Sequence, residues 1–289
     1  FKQKTAYEIP LRLVGSEMCI RDSYNSDMSK EALLNVNQLA ARKGAAELEF
    51  AVKKVHSLDA SKGGPDGYLT AIERRVEDLV FEEIQRFYPE DNLLSTQQGS
   101  VINNSNLTWV LKPIDGVENF MNGYPHFSLS LCSMIGDVVT SAVIIDPIRR
   151  EEFSAYDGGG ANINNNKIRS SNQNSLEDSM LSFAKSNKDD EFDHKKTYKE
   201  LSNQKLNMRE SGCLSLDLAY VGTGRLDGTW AYDVGLIDIA AGTLIAREAG
   251  ALVSDFKGNP KFLEGNNIIA STSKIYKSIL KSVKPYYLV

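Results

Sequence analysis

The chain has 289 residues, of which 42% are hydrophobic and 25% are charged, with a formal net charge of −5. These values are typical of a soluble globular protein with one large or two small domains. The longest apolar runs, residues 127–135 and 138–145, are much shorter than the roughly 20 residues that span a bilayer, so no membrane span is predicted. The basic residues are scattered along the acidic chain, which argues against wrapping of duplex nucleic acid. RNA contact through a local patch remains open.

The cysteine content favours a reducing compartment. Cys19, Cys132 and Cys213 form neither a disulfide framework nor a metal-binding spacing, so we expect a cytoplasmic protein. Residues 1–23 are excluded from the fold prediction. Residues 6–23 lack helical or strand periodicity and resemble translated sequencing-adapter sequence, without the charged start and apolar run of a signal peptide. We expect the natural chain to begin near Met28.

The first part of the chain predicts two helices followed by antiparallel strands. Apolar residues at helical spacing indicate an amphipathic helix over residues 30–55. After a glycine-rich break, Thr70 and Glu73 have the form of a capping box that opens a second helix, which Pro89 ends. Strands are predicted over residues 107–111, 128–134 and 138–145, with a hairpin turn at Gly136 and Asp137.

The second part predicts alternating strands and helices. The strands are expected over residues 180–183, 205–209, 229–232, 252–255 and 267–271, and the helices over 195–201, 214–221, 237–248 and 273–283. Residues 186–196 are expected to form an exposed loop. The chain is therefore predicted to be a layered α+β protein, one compact unit with halves at residues 28–175 and 176–289.

Two segments carry recognisable motifs. Residues 109–120, WVLKPIDGVENF, are similar to the signature W-[VI]-x-D-P-[IL]-D-G-T-x-N-F, and residues 233–250, DVGLIDIAAGTLIAREAG, are similar to a signature in which W-D opens a helix ending in E-A-G-G. Further matches occur at residues 146–147, 211–212, 216–220 and 224–228. On these motifs the chain resembles the inositol monophosphatase family, most closely its SuhB-like branch, over residues 30–281.

This resemblance implies an α-β-α-β-α sandwich, shared with fructose-1,6-bisphosphatase, that often forms a homodimer. It implies a Mg²⁺-dependent phosphatase for inositol monophosphate or similar small phosphate monoesters. Such a site needs clustered carboxylates because Mg²⁺ prefers oxygen ligands in octahedral geometry. The ions polarise the phosphate and activate the attacking water.

The resemblance assigns roles to individual residues. It implies metal ligation by the Asp115 and Asp238 carboxylates and the Ile114 carbonyl, with Glu73 near an extra metal. The backbone amides of Gly116 and Val117 correspond to the phosphate cradle. The substrate-binding positions are Asp233, Gly212 and Cys213.

The chain departs from the family pattern at the catalytic positions. Lys112 stands in place of the first aspartate of the signature, Thr96 and Gln97 replace the expected glutamate pair, and Val117 replaces the threonine that holds the water. A dication facing lysine instead of aspartate exchanges an attraction of about 8 kcal/mol for a similar repulsion, at 4 Å and an effective dielectric constant of 20. Lys112 is therefore predicted to replace the cation and to neutralise Asp115 and Asp238.

Simpler roles remain open for the candidate ligands. Asp115 is either a residual metal or phosphate ligand or a turn residue paired with Lys112, while Asp238 could serve as a helix N-cap. Glu73 is explained equally well by the capping box, and Cys213 by burial of its thiol.

Three functions follow as hypotheses. The first is a protein with weak or absent catalysis, retained to bind a phosphorylated ligand or a macromolecular partner. The second is an active phosphatase with a reduced set of Mg²⁺ ions. The third is a SuhB-like accessory protein of an RNA or transcription complex.

Overall fold

The computed structural model describes residues 29–55, 64–184 and 192–287. The excluded residues 1–23 and the expected start at Met28 lie outside them. Its helices are α1 (Lys30–Val52), α2 (Gly64–Phe87), α3 (Val117–Met121), α4 (His194–Ser202), α5 (Leu214–Thr223), α6 (Leu236–Glu248) and α7 (Tyr276–Val283). Short 3-10 helices cover Phe262–Glu264 and Lys284–Tyr286. No helix in these described ranges is sufficiently long and apolar to cross a membrane.

Two sheets form the framework. The first contains β1 (Asn92–Ser95), β2 (Ser100–Val101), β3 (Leu107–Asp115), β4 (Ser128–Ile135), β5 (Val138–Asp146), β6 (Glu151–Tyr156), β7 (Gly160–Ile163) and β8 (Asn166–Lys167). Its strand order is β2-β1-β3-β4-β5-β6-β7-β8, and all neighbours are antiparallel except β1 and β3. The predicted hairpin is confirmed, because β4 and β5 pair through the turn at Gly136 and Asp137.

The second sheet contains β9 (Met180–Ala184), β10 (Asn207–Arg209), β11 (Gly228–Tyr232), β12 (Leu252–Ser254) and β13 (Asn267–Ser271). Its order is β10-β9-β11-β13-β12. The pairs β9–β10 and β9–β11 are parallel, whereas β13 is antiparallel to both of its neighbours.

The elements stack in five layers. Helices α1 and α2 pack together, and α1 covers the first sheet at β4, β5 and β6. Helices α5 and α6 lie between the sheets, since α6 contacts β3 to β7 while α5 contacts β9, β11 and β13. Helices α4 and α7 pack together beyond the second sheet, where α7 contacts β13. This arrangement confirms the predicted α-β-α-β-α sandwich.

Several predicted boundaries are wrong. Helix α2 begins at Gly64, so Thr70 and Glu73 lie inside the helix and form no capping box. The strands β2 and β6 to β8 were not predicted from the sequence, because they are short or begin with charged residues. The loop expected over residues 186–196 lies partly outside the described residues, and α4 already begins at His194.

Candidate functional site

The site begins where β3 runs into α3. The pairing of β3 with β4 shifts register between Lys112 and Asp115, and such an irregularity re-aims the side chains around it. As a result, Lys112 Nζ lies 2.7 Å from Asp115 Oδ1, although the residues are only three apart in sequence. The sequence Pro113-Ile114 occupies the irregular stretch between them.

Helix α6 supplies the second carboxylate. Lys112 Nζ also lies 2.7 Å from Asp238 Oδ1, so one ammonium group bridges two aspartates from different halves of the chain. Asp238 is the third residue of α6, and its Oδ2 accepts a hydrogen bond of 2.8 Å from the Gly235 amide. The expectation that Asp238 is the N-cap is therefore wrong, because Gly235 holds that position.

The bridge is shielded from water to different degrees at its three members. The side chain of Asp115 is 7% exposed, that of Lys112 is 16% exposed and that of Asp238 is 32% exposed. Asp115 Oδ2 also accepts a hydrogen bond of 2.6 Å from the Ser215 amide at the start of α5. The buried carboxylate thus has partners at both oxygens, as a buried charge requires.

The electrostatics stabilise the charged forms. Burial lowers the pKa of the Lys112 ammonium, but the two aspartates outweigh burial, and the pKa lies above its ordinary value. Burial raises the pKa of Asp115, yet the charge and hydrogen bond of Lys112, together with Ser215, hold it below its usual range. The predicted ion pairing of Lys112 with both aspartates is therefore present.

A second cluster of polar residues connects the loop after β1 to α2 through hydrogen bonds. Gln97 Nε2 donates a hydrogen bond of 2.6 Å to Glu73 Oε2, while the amides of Gln97 and Gln98 donate to the two carboxylate oxygens of Glu77 at 2.9 and 3.0 Å. Burial raises the pKa of Glu73, and the Gln97 hydrogen bond opposes that rise. The charge of Lys112 also opposes the rise, which places Glu73 in the electric field of the lysine. The neighbouring Thr96 is exposed.

The turn after Asp115 packs against the start of α5. Gly116 has φ of +84°, and a Cβ atom there would lie 3.0 Å from the His126 carbonyl and 3.2 Å from that of Gly212. Only glycine fits both the backbone conformation and the space. Val117, half-buried, follows as the first residue of α3, and the Cys213 thiol donates a hydrogen bond to the Asp115 carbonyl oxygen at 3.4 Å.

The structure thus brings most predicted residues together. Gly116 and Val117 follow Asp115 in the chain, the Cys213 thiol contacts Asp115, and Gly212 packs against Gly116. Asp233 lies in the turn before α6 with φ of +60°. Asp217 was missed by the sequence analysis as a functional candidate. This carboxylate is buried in α5, accepts a hydrogen bond of 2.8 Å from the Ser211 hydroxyl, and has its pKa raised by burial to about 7. Its position inside the apolar run LSLDLAY is the signal that marks it.

These side chains do not fit a Mg²⁺ ion. The two aspartates that would ligate the ion already hold an ammonium at 2.7 Å, and the glutamine at position 97 provides a neutral amide instead of a carboxylate. Within the described parts of the chain, no group of three or more His, Cys, Asp or Glu side chains is arranged to hold a metal ion. We therefore assign no catalytic step to a metal in this site.

Comparisons with known proteins agree with this architecture. Nus factor SuhB of Pseudomonas aeruginosa is 33% identical over 264 residues, which covers 89% of this chain and 97% of that protein. Inositol-1-monophosphatase of Mesorhizobium japonicum is 33% identical over 261 residues, covering 89% of this chain and 98% of the relative.

Solved structures show the same fold. The extragenic suppressor protein suhB of Bartonella henselae superposes with a TM-score of 0.79 at 29% identity, covering 88% of this chain and 98% of the other. Inositol monophosphatase from Anabaena gives a TM-score of 0.78 at 27% identity, with 90% and 98% covered. The sequence profile of the inositol monophosphatase family matches residues 29–287. The chain therefore belongs to the inositol monophosphatase family.

Proposed function

We propose that this chain acts by binding a macromolecular partner and that it lacks Mg²⁺-dependent hydrolysis of phosphate esters. The observation that carries the proposal is the position of Lys112 Nζ, 2.7 Å from both Asp115 and Asp238. The family is generally metal-dependent, and a tethered ammonium between these two carboxylates takes the electrostatic place of the ion.

Charge arithmetic supports this exclusion of the metal. A dication placed about 4 Å from the ammonium is repelled by roughly 8 kcal/mol at an effective dielectric constant of 20. The lysine is also held in place, since both carboxylates raise its pKa and it remains charged at neutral pH. Entry of Mg²⁺ therefore requires Lys112 to abandon two short ion pairs.

The groups that would activate water are also replaced. Thr96 and Gln97 supply no carboxylate, and the Gln97 amide is committed to Glu73. Val117 has no hydroxyl group to hold a nucleophilic water. A general base within hydrogen-bond reach of a bound water is needed for ester hydrolysis, and these substitutions remove the family's means of supplying one.

The same charges favour a partner over a small phosphorylated ligand. Lys112 is balanced by Asp115 and Asp238, and the nearby Glu73 adds further negative potential. A phosphate monoester brings its own negative charge, so it meets repulsion where the family's metal ions would attract it. The amides of Gly116 and Val117 alone offer weak compensation.

A second candidate function is that of an accessory protein in an RNA or transcription complex. Several of the relatives carry the name Nus factor SuhB, including those of Pseudomonas aeruginosa and Escherichia coli, the latter 31% identical over 255 residues. This role needs no metal chemistry, and it is compatible with the Lys112 bridge. The homodimer and the cytoplasmic location expected from the sequence belong to the same proposal.

A phosphate-release assay tests the proposal. The wild-type chain is incubated with Mg²⁺ or Mn²⁺ and a panel of inositol, sugar and nucleotide monophosphates, beside the Mesorhizobium japonicum relative as a positive control. We expect no turnover above the protein-free blank. Turnover comparable to that relative, lost on chelation and in the Asp115→Asn variant, would instead establish an active phosphatase with fewer metals.

A further inference from the structure

The C-terminal end of the chain is strongly basic. From residue 265 to residue 289 there are four lysines and no aspartate or glutamate, whereas the whole chain has a net charge of −5. The four are Lys274, Lys277, Lys281 and Lys284. The basic residues are therefore not uniformly scattered, which corrects the expectation from composition.

The structure places these lysines on one exposed stripe. Their spacings of three, four and three residues follow the helical repeat through α7 and its flanking turns. All four are exposed, while Ile279 and Val283 turn inward and are buried. At 1.5 Å per residue the stripe extends for about 15 Å.

The lysines of the stripe have no acidic partner among the residues that the structure describes. Cations elsewhere on the surface do form ion pairs, such as Lys30 with Asp157 and Arg225 with Glu151. The loop before the Phe262–Glu264 turn adds the exposed Lys257, whose Nζ lies 5.6 Å from the centroid of the Tyr287 ring. The four lysines are thus exposed and form no described ion pair, and the acidic side chain near the end of the stripe is Glu200, which accepts a hydrogen bond of 2.7 Å from the Tyr286 hydroxyl.

We propose that this lysine stripe, Lys274, Lys277, Lys281 and Lys284, binds the phosphate backbone of single-stranded RNA. Regularly spaced cations along about 15 Å match a strand of repeated phosphates, and release of its counterions drives such binding. Tyr286 and Tyr287 follow Lys284 in the chain but pack against the core, so the phosphate contacts of the lysines carry the proposal. The acidic remainder of the chain opposes wrapping of a duplex.

Two other partners fit the stripe less well. Protein interfaces are depleted in lysine and enriched in exposed aromatic or apolar anchors. Membrane-surface helices insert large apolar side chains beside their lysines. Helix α7, all of which is described, exposes no large hydrophobic side chain. This inference rests on the accessory role proposed above and adds an RNA-binding surface to it. The residues of that surface are distinct from those around Lys112.

Fluorescence anisotropy with a labelled 15-nucleotide single-stranded RNA of mixed sequence tests the stripe. If four phosphates are neutralised, log K falls with log salt at a slope of about −3, so affinity drops roughly 50-fold between 50 and 200 mM salt. In the Lys277→Gln, Lys281→Gln, Lys284→Gln triple variant only one contact remains. We expect weaker binding with a slope of about −0.7, or roughly a threefold loss over the same range.

A matched control removes three exposed cations elsewhere by changing Lys53, Arg74 and Lys167 to glutamine. Both triple variants have the same net charge, so a general electrostatic effect would weaken RNA binding equally in the two variants. Equal weakening, or wild-type affinity and slope in the stripe variant, overturns the proposal. Binding to phosphatidylserine vesicles without RNA binding assigns the stripe to membranes instead. Circular dichroism verifies that both variants fold. The phosphate-release assay on the wild type tests the Lys112 proposal separately, so either proposal can fail without the other.

Discussion

Replacing Lys112 by methionine tests the central electrostatic argument. Methionine preserves most of the volume of the lysine stem but removes the ammonium that bridges Asp115 and Asp238 at 2.7 Å. Removing one partner of a buried ion pair costs about 3–5 kcal/mol because a buried charge is left uncompensated. Asp238 is about one-third exposed, and solvent screening reduces its share. We therefore expect the free energy of unfolding to fall by about 3–4 kcal/mol at pH 7.

The loss of stability in Lys112→Met should depend on pH. In the wild type the pKa of Asp115 is lowered, so its contribution to stability is present above the unfolded pKa and is lost as the pH falls through the folded pKa. In Lys112→Met, burial without a cation raises the pKa of Asp115 above its unfolded value. Its destabilising effect then grows as the pH rises. The gap in stability between variant and wild type should be largest at pH 7 and should narrow towards pH 4.

Urea denaturation at several pH values, followed by circular dichroism, measures the effect. In a thermal scan the difference at pH 7 corresponds to roughly 6–16 °C in Tm for a chain of this size. The exposed Lys167→Met variant is the control and should differ from wild type by less than about 0.5 kcal/mol. A Lys112→Met protein as stable as wild type at pH 7, or a gap that does not change with pH, would refute the reasoning.

Three further predictions concern the same region and α5. The Lys112→Asp variant should bind Mg²⁺ in calorimetry. At a Mg²⁺ concentration of 100 times Kd, its Tm should rise by the equivalent of about 3 kcal/mol in the free energy of unfolding. The Tm of the wild type should respond neither to Mg²⁺ nor to chelator. Gln97→Glu places a carboxylate where the Gln97 amide donates a hydrogen bond of 2.6 Å to Glu73. Urea denaturation should show that the free energy of unfolding falls by about 1–3 kcal/mol at pH 7.5 and by less at pH 5, because protonation of one carboxylate relieves the repulsion between the two. The pKa of Asp217 is raised to about 7 in the folded state, so its carboxyl reduces stability as the pH rises from the unfolded pKa to about 7. As the pH rises from about 5 to about 8, the free energy of unfolding of Asp217→Asn should therefore increase by about 2–3 kcal/mol relative to that of the wild type, as measured by denaturation curves. A difference in stability that stays constant with pH would contradict the assigned pKa.

The sequence predicted the long elements because their apolar residues recur at regular intervals. The β4–β5 hairpin and helix α6 were placed within one or two residues of their observed ends. The strands β7 and β8 escaped prediction, since they contain glycine and asparagine and form by pairing at the sheet edge. The start of α2 was misplaced because Gly64 and Gly67 resemble a loop, yet the first helical turn tolerates Pro65.

The charge pattern of the site was predictable, whereas its hydrogen bonds were not. Lys112 lies in the same motif as Asp115, and this closeness already indicated an ion pair. The pair with Asp238 joins residues that are 126 positions apart, and it was predicted because both motifs contribute to one site in the family. The contact of Gln97 with Glu73 had no such guide. It depends on how the loop after β1 meets α2, and a local capping pattern offered a competing explanation for Glu73.

The cation between Asp115 and Asp238 is covalently attached to the polypeptide through the four methylenes of Lys112. Its occupancy is therefore fixed by the fold and is independent of the supply of divalent ions in the surroundings. We therefore expect a chelator to leave the arrangement of Asp115 and Asp238 unchanged. The surface around α6 and the turn at Gly116 should therefore keep one shape across changes in magnesium concentration.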